Sequence, residues 1–398
     1  GCRWITKSMI QIFKNEDCCG CNACGDICPT DAITFPSDKE GFWYPKVDLD
    51  KCIDCHLCEK VCPMLHKHVR DEVYDEPKVI GAYNKDESIR LDSTSGGVHT
   101  ALAKKIFAEA GYVGGAIYND DHTVSQIVTD DSNQLPNIRS SKYLQSNAEG
   151  VFKAIKVLLN KGEKVFFCGT PCQVQGLYNF LGKRKYENLV VADFVCLGVN
   201  SPKVFLKYMD MMEEKYHSHA TKIKFKHKKW GWHNFSIRID FENGKEYVKD
   251  WSHDPYFAGY CADHLYTRPS CYECPFRDYP HVSDFTLADF WGIENLDPSM
   301  DQDKGTSLIL VNTDKGRDFL SQIKDDVISK EYQFSDLRKV YGAMFNNSPQ
   351  PQGNREAFFE DLNRYPFRKV AKLHITRPSS CKQFRAKAKG LLKRVLRK

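Results

Sequence analysis

Eight cysteines near the start of the chain fall into two runs of identical spacing. Cys18, Cys21, Cys24 and Cys28 precede Pro29, and Cys52, Cys55, Cys58 and Cys62 precede Pro63. Each run reads C-x2-C-x2-C-x3-C-P, the spacing of bacterial two-cluster ferredoxins. A cysteine at every third residue of a tight loop presents three thiolates to one face of a 4Fe-4S cube, and the fourth thiolate ligates the other cube. This crossing rule assigns Cys18, Cys21, Cys24 and Cys62 to one cluster and Cys52, Cys55, Cys58 and Cys28 to the second. Zinc is also held by paired C-x2-C units, and disulfides staple small cysteine-rich domains. Neither needs three cysteines at three-residue steps, twice over. The expected chemistry is therefore movement of single electrons. Cys19 stands out of register and is expected to be a free thiol, packed or exposed.

The later cysteines are Cys168, Cys172, Cys196, Cys261, Cys271, Cys274 and Cys381. Cys271 and Cys274 form a metal-style pair on a loop after Arg268-Pro269. Cys172 and Cys196 each follow a predicted strand, so both are placed at one edge of a sheet. Together these four thiolates suffice for a third cluster. A zinc site, a redox disulfide (Cys168 with Cys172 included) and buried inert thiols remain open alternatives.

Three segments suit a phosphate-bearing cofactor. Ser93-Thr94-Ser95-Gly96-Gly97 runs into a predicted helix from Val98, where glycines admit a ligand and helix N–H groups attract an anion such as a flavin pyrophosphate. Gly169-Thr170-Pro171-Cys172-Gln173 makes a strand–loop–helix step. Ser140-Ser141-Lys142-Tyr143 supplies a cation and an aromatic ring. His99, beside the glycine pair, is expected as a solvated helix-start residue, with proton donation at a flavin the alternative. Lys224, Lys226, Lys228 and Lys229, near Gly231-Trp232, read as a charged solvent face, with an anionic substrate or cofactor tail the alternative. The chain carries no G-x-G-x-x-G fingerprint and no P-loop.

These residues need elements to position them. Residues 9–66 form a ferredoxin-like module, with short strands at 32–35 and 44–47 around a turn containing Gly41. Residues 67–78 are charged and read as a linker. Beyond it, strands at 79–83, 113–118, 123–129, 164–167, 189–194 and 307–311 alternate with helices at 98–110, 148–159, 174–180 and 314–323. Gly111 is the expected stop of the first of these helices. The alternation predicts a layered α/β core over 79–361. Between 222 and 250 the hydrophobic period switches to two, with Phe235, Ile237 and Ile239, which predicts a small antiparallel insert.

Length and composition permit this plan. The chain has 398 residues, 41% of them hydrophobic, and a mean hydropathy of -0.51. No apolar run approaches the ~20 residues of a membrane helix. Clusters and free thiols point to a reducing cytoplasm. Residues 1–8 read as an upstream extension, with Met9 a plausible start. Net charge is +5, yet eight Lys or Arg and no acid lie in 382–398, so the rest is near neutral. Residues 362–398 are read as a basic tail. Phe384, Ala388, Leu391, Leu392 and Val395 share one helical face, which suits a solvated terminal helix first, and peripheral contact with an anionic membrane or an acidic partner second. Without a basic stripe elsewhere, nucleic-acid binding is not expected.

From about Met9 to Asp361 the chain resembles the coenzyme F420 hydrogenase/dehydrogenase beta-subunit family. The resemblance is carried by the two ferredoxin runs, Ser95-Gly96-Gly97, Ser141-Lys142-Tyr143, Gly169-Thr170-Pro171-Cys172-Gln173, Cys196-Leu197-Gly198-Val199, Gly231-Trp232, Arg268-Pro269-Ser270-Cys271-Tyr272-Glu273-Cys274 and Ala288-Asp289-Phe290-Trp291-Gly292. It implies an iron–sulfur flavoprotein oxidoreductase with FAD in the α/β domain beside a third 4Fe-4S cluster. By that analogy Cys172, Cys196, Cys271 and Cys274 hold the third cluster, and Ser95, Gly96, Gly97, Lys142, Gly169 and Thr170 contact FAD. A ferredoxin-like carrier or a partner redox subunit would meet the clusters, and a small-molecule substrate the flavin. A non-catalytic electron-transfer subunit of a larger complex is the alternative. The family often has Cys-His-Gly at Cys196-Leu197-Gly198 and Gly-Asp at Ala288-Asp289, departures that bear on the substrate pocket.

Overall fold

The structure, a computed structural model, describes residues 9–376. Its N-terminal module repeats one local geometry twice. Asn22 and His56, both in the left-handed region (φ 64° and 59°), turn the chain into α1 (Ala23–Ile27) and α2 (Leu57–Val61). Each short helix ends at the fourth cysteine of its run, Cys28 or Cys62, in extended backbone. Between them β1 (Ile33–Thr34) pairs antiparallel with β2 (Lys46–Val47), shorter than the sequence suggests.

This module is docked on the rest of the chain. Asp26 of α1 accepts from the backbone N–H groups of Gly150 (2.6 Å) and Phe152 (3.0 Å), so it caps the N-terminus of a helix in the other domain. A carboxylate there satisfies otherwise orphaned donors and meets the positive end of the helix dipole. Asn22 adds a bond from Ala148 N–H at 3.1 Å. The expected linker is docked too. Arg70 donates to Tyr178 Oη and Val282 O, each at 2.7 Å, and pairs with buried Asp284 at 3.2 Å.

The larger domain begins with β3 (Lys78–Asn84), α3 (Glu87–Asp92), α4 (Val98–Ala108) and the hairpin of β4 (Tyr112–Tyr118) and β5 (Val124–Thr129). The expected glycine stop after α4 is displaced by one residue: Ala110, not Gly111, takes the left-handed conformation (φ 56°). Then come α5 (Leu135–Ile138), β6 (Ser146–Asn147), α6 (Val151–Asn160), β7 (Val165–Cys168), α7 (Pro171–Leu181) and β8 (Leu189–Phe194). α8 (Pro202–Tyr216) leads into the antiparallel insert of β9 (Ala220–His227), β10 (Ser236–Phe241) and β11 (Glu246–Asp250). The chain returns through α9 (Pro255–Ala258), β12 (Phe285–Asp289), α10 (Ile293–Leu296), β13 (Ser307–Val311), α11 (Asp314–Ser321) and β14 (Val327–Tyr332). It closes with α12 (Phe334–Asn346), α13 (Arg355–Arg364) and α14 (Phe367–His374).

Among the described residues the main sheet has nine strands in the order β14-β3-β13-β12-β8-β7-β4-β5-β6. Its centre, β12-β8-β7-β4, is parallel. Buried parallel strands are apolar on both faces, and Val165, Phe166 and Phe167 of β7 are fully buried. The fold is thus mixed α/β, as expected. At the start of the expected basic tail, Leu362, Phe367, Val370 and Ala371 are buried in one apolar cluster with residues of α8, on which α14 packs. The basic residues of 382–398, with Cys2 and Cys381, lie outside the described residues. No described helix is long and apolar enough to cross a membrane.

Candidate functional site

The thiols of the two ferredoxin runs interleave. Burial, and then the neighbouring sulfurs of Cys18, Cys62 and Cys58, hold the Cys24 thiol well above its ordinary pKa. Cys62, from the second run, is raised by burial and by Cys18 of the first. Cys28, Cys52, Cys55 and Cys58 line one common cavity with the apolar Ala32, Ile33, Val47 and Ile53. Cys62 thus neighbours Cys18 of the first run as well as Cys58 of its own, and Cys28 shares a cavity with three cysteines of the second run.

A third group forms where β7 and β8 end. Cys172 opens α7 and Cys196 follows β8, while Cys271 and Cys274 come from the loop after Arg268. Burial, then Cys271, Cys172 and Cys274, push the Cys196 thiol well above its usual range. Gly198 (φ 101°) lets the backbone pass close to this group, since a Cβ there would lie 3.1 Å from Cys271 Cβ. All the cysteines of 9–376 are free thiols, which removes the disulfide alternative from this arrangement. Among the described residues no three sulfurs converge within 4.8 Å. One zinc ion with Zn–S bonds of ~2.3 Å would draw four sulfurs closer than that. A cube instead holds each thiolate on a separate corner iron. Buried thiols of raised pKa resist ionisation until a cationic centre binds them, so the donor set fits iron–sulfur clusters.

Cys19 is neither isolated nor exposed. Its hydrogen bond with Cys172 leads the causes that raise the Cys172 thiol, followed by burial. It therefore lies between the first ferredoxin cluster's cysteines and the third group. Arg268, fully buried, joins the same two places. It donates to Cys18 O (2.8 Å), Gln145 Oε1 (2.9 Å) and Trp43 O (3.0 Å), and its guanidinium lies 4.5 Å from the Tyr44 ring centroid. Nothing local in the sequence marks Arg268 as a bridge, because its partners are more than a hundred residues away.

Beside Cys196 a large cleft of about 1510 Å³, open solvent included, follows the carboxyl ends of β7, β8 and β12. Ligands of α/β sheets bind in crevices at that end. Ser95, Gly97, Lys142 and Thr170 line it, with His99, Tyr143 and Trp291. Gly97 (φ 84°) starts α4 without a side-chain cap, leaving the helix N–H groups to a ligand. The loop thus fits the pyrophosphate of a dinucleotide-like group. Gly96 and Gly169 are not in the lining. Gly96 donates to Ser307 Oγ at 2.9 Å and packs on the sheet, and Gly169 is held by Ala192 O at 3.2 Å.

Three expected roles change. Lys142 Nζ donates to the carbonyls of Asn137, Ile138, Arg139 and Ser140 at 2.7–3.2 Å, so its ammonium caps the end of α5 instead of meeting a phosphate. Burial draws its pKa down to about 7, against four acceptors that favour the charged form. His99 is part-buried in the cleft wall, not on an open surface. Burial first, then Lys142 and Arg139, lower its pKa to about 4. Lys224, Lys226 and Lys228 are not a solvent face, because all three are buried. Lys224 and Lys226 of β9, and Lys228 just after it, point into the domain, where Lys224 pairs with Asp92, Lys226 with Asp289, and Lys228 donates to Arg90 O and Ser95 O. Lys226 also lies 4.9 Å from the Trp291 ring centroid, in the cleft wall.

Residues 162–336 match the family described as the C terminus of the beta subunit of coenzyme F420 hydrogenase/dehydrogenase. Residues 17–65 match a 4Fe-4S dicluster domain. The F subunit of the F(420)H(2) dehydrogenase of Methanosarcina mazei is 20% identical over 91% of this chain and 97% of its own length. The coenzyme F420-dependent sulfite reductase of Methanocaldococcus jannaschii is 29% identical over 42% of this chain, which spans only 26% of that protein. A chain from the F420-reducing NiFe hydrogenase complex of Methanosarcina barkeri has a TM-score of 0.46 at 15% identity, covering 76% of this chain and 94% of that one.

Proposed function

Since this chain belongs to the coenzyme F420 hydrogenase/dehydrogenase beta-subunit family and carries a 4Fe-4S dicluster domain, we propose that it is an iron–sulfur flavoprotein oxidoreductase. The observation that carries the reading is the placement of Cys196. It belongs both to the third thiol group and to the lining of the cleft. Bound in that cleft, FAD would supply exchange between electron pairs and single electrons. The chain's own residues do the rest. The α4 N-terminus and Ser95 would receive the pyrophosphate. Val195, Leu197, Leu287 and Trp291 give the cleft apolar walls that exclude water. Cys172, Cys196, Cys271 and Cys274 would hold a third cluster, and Cys19 with Arg268 bridges from there to the cysteines of the first ferredoxin cluster. A small-molecule partner would react at the cleft, and a ferredoxin-like carrier or redox subunit would meet the exposed Cys55 side of the module. The surroundings are those of a reducing cytoplasm.

Iron, sulfide and flavin analysis of anaerobically purified protein tests this. About twelve irons per chain fit three cubes, and about eight would leave Cys271 and Cys274 without their role. The flavin claim rests on about one FAD per chain. A second reading, a non-catalytic electron-transfer subunit, is favoured by the naming of the Methanosarcina mazei relative as one subunit of a dehydrogenase. It predicts clusters without flavin in the isolated chain.

A further inference from the structure

We propose that His233, Glu294 and Asp301 form a binding site for a first-row divalent cation behind the tryptophan wall of the cleft. The three side chains come from the β9–β10 loop, from α10 and from the loop before β13. Each offers one donor atom, and all three atoms lie within 4.8 Å of one another. Asp301 Oδ1 accepts from Asp303 N–H at 3.1 Å and is hydrogen-bonded to His233 Nε2 at 3.0 Å. Two ligands each ~2.1 Å from a metal and at right angles to one another have that separation.

Charge argues for an occupant. Two carboxylates face one imidazole, and the Asp301 side chain is only 1% exposed. Glu294 Oε2 is buried and has no hydrogen-bond partner. Like charges this close favour a proton or a cation between them, and a buried acceptor without a donor calls for one as well. Arg90 lends Asp301 some positive charge, while its Nε and Nη1 donate to Gly305 O (2.8 Å) and Gln302 Oε1 (2.7 Å). His233 is about a third exposed, which leaves a path for an ion and room for water ligands.

One imidazole with two carboxylates is an N/O donor set. It suits manganese(II), iron(II) or zinc(II), being poor in the oxygen ligands calcium needs and lacking thiolates. The site also reaches the cleft. The His233 ring centroid is 5.2 Å from Trp232 and 5.9 Å from Trp291, and those two rings stack at 4.3 Å. A bound ion would fix the insert against the loops that follow β12 and so hold Trp291 in the cleft wall. This inference does not depend on the flavin.

The test is titration of the anaerobic, cluster-loaded full chain with manganese(II) chloride. The room-temperature paramagnetic resonance signal of free manganese gives the unbound fraction, and tryptophan emission reports occupancy. The expected result is a single manganese bound per chain, displaced by zinc, with quenched emission. Glu294→Gln and the partly exposed His233→Ala should each weaken binding by more than about tenfold, with iron content unchanged. His233→Ala keeps the test decisive if Glu294→Gln does not fold. Absence of manganese binding, with His233 protonation then compensating the carboxylates, overturns the proposal. So does binding that both substitutions leave intact.

Discussion

Arg268→Gln is the perturbation that most directly tests how the ferredoxin module is joined to the body. The wild-type guanidinium makes three hydrogen bonds of 2.8–3.0 Å, two of them to backbone carbonyls of the module. Hydrogen bonds from charged donors are worth ~1.5–3 kcal/mol each, and a buried charge network broken by loss of one partner costs ~3–5 kcal/mol. Glutamine is too short to span Cys18, Trp43 and Gln145 at once. The expected destabilisation is therefore roughly 3–5 kcal/mol, a large part of the ~5–15 kcal/mol of a folded domain. Cluster proteins unfold irreversibly, so the assay is the half-life of cluster absorbance at fixed temperature under anaerobic conditions. The substitution should shorten it by orders of magnitude, and Arg268→Lys should recover part of the loss. In molecules that keep their clusters, removing a positive charge near Cys18 and Cys271 disfavours the added electron, so the first cluster's potential should fall. Half-lives within a factor of two of wild type, or a rise in potential, would refute the bridging role.

Three further outcomes follow from the geometry. Gly198→Ala would place a Cβ 2.4 Å from Thr267 Cγ2 in left-handed backbone, so it should displace Cys271 and remove about four irons per chain by analysis; unchanged iron would exclude Cys271 as a ligand. His99 has a folded pKa of about 4 against ~6.5 unfolded, so the unfolded state binds more protons between those values. Stability should fall by up to roughly 3 kcal/mol as pH drops from 6.5 to 4, and His99→Gln should flatten that dependence in melts. Lys142→Met leaves four carbonyls without their donor and should cost about 2–3 kcal/mol in thermal or denaturant unfolding, with FAD affinity little changed; loss of FAD without loss of stability would restore the phosphate role.

Local pattern was a good guide where neighbours in sequence are neighbours in space. The hairpin of β4 and β5, the strands β7, β8 and β13, and the switch to period two in the insert all lie close to the ranges read from periodicity. The pattern missed β12 and β14. Phe285 to Asp289 is short and bounded by turn-like residues, and Val327 to Tyr332 is mostly exposed, so neither shows clear alternation. The lysines of β9 misled for a different reason. Alternating charges on a strand look solvated, yet Asp92 and Asp289, distant in sequence, wait on the inner face.

Ligation of the first two clusters is a property of the sequence itself, because a three-residue step fixes which thiolates share a face regardless of what the loop packs against. The body's mixed α/β character follows similarly from alternating apolar strands and helices. What only tertiary structure decided is where long-range partners meet. Parallel strands bring Cys172, Cys196 and the cleft to one sheet edge, and the docked module sets Cys19 beside Cys172. Buried aspartates, carbonyls and Arg268 acquire their roles there, since a buried charge or donor is costly unless it finds a partner across the fold.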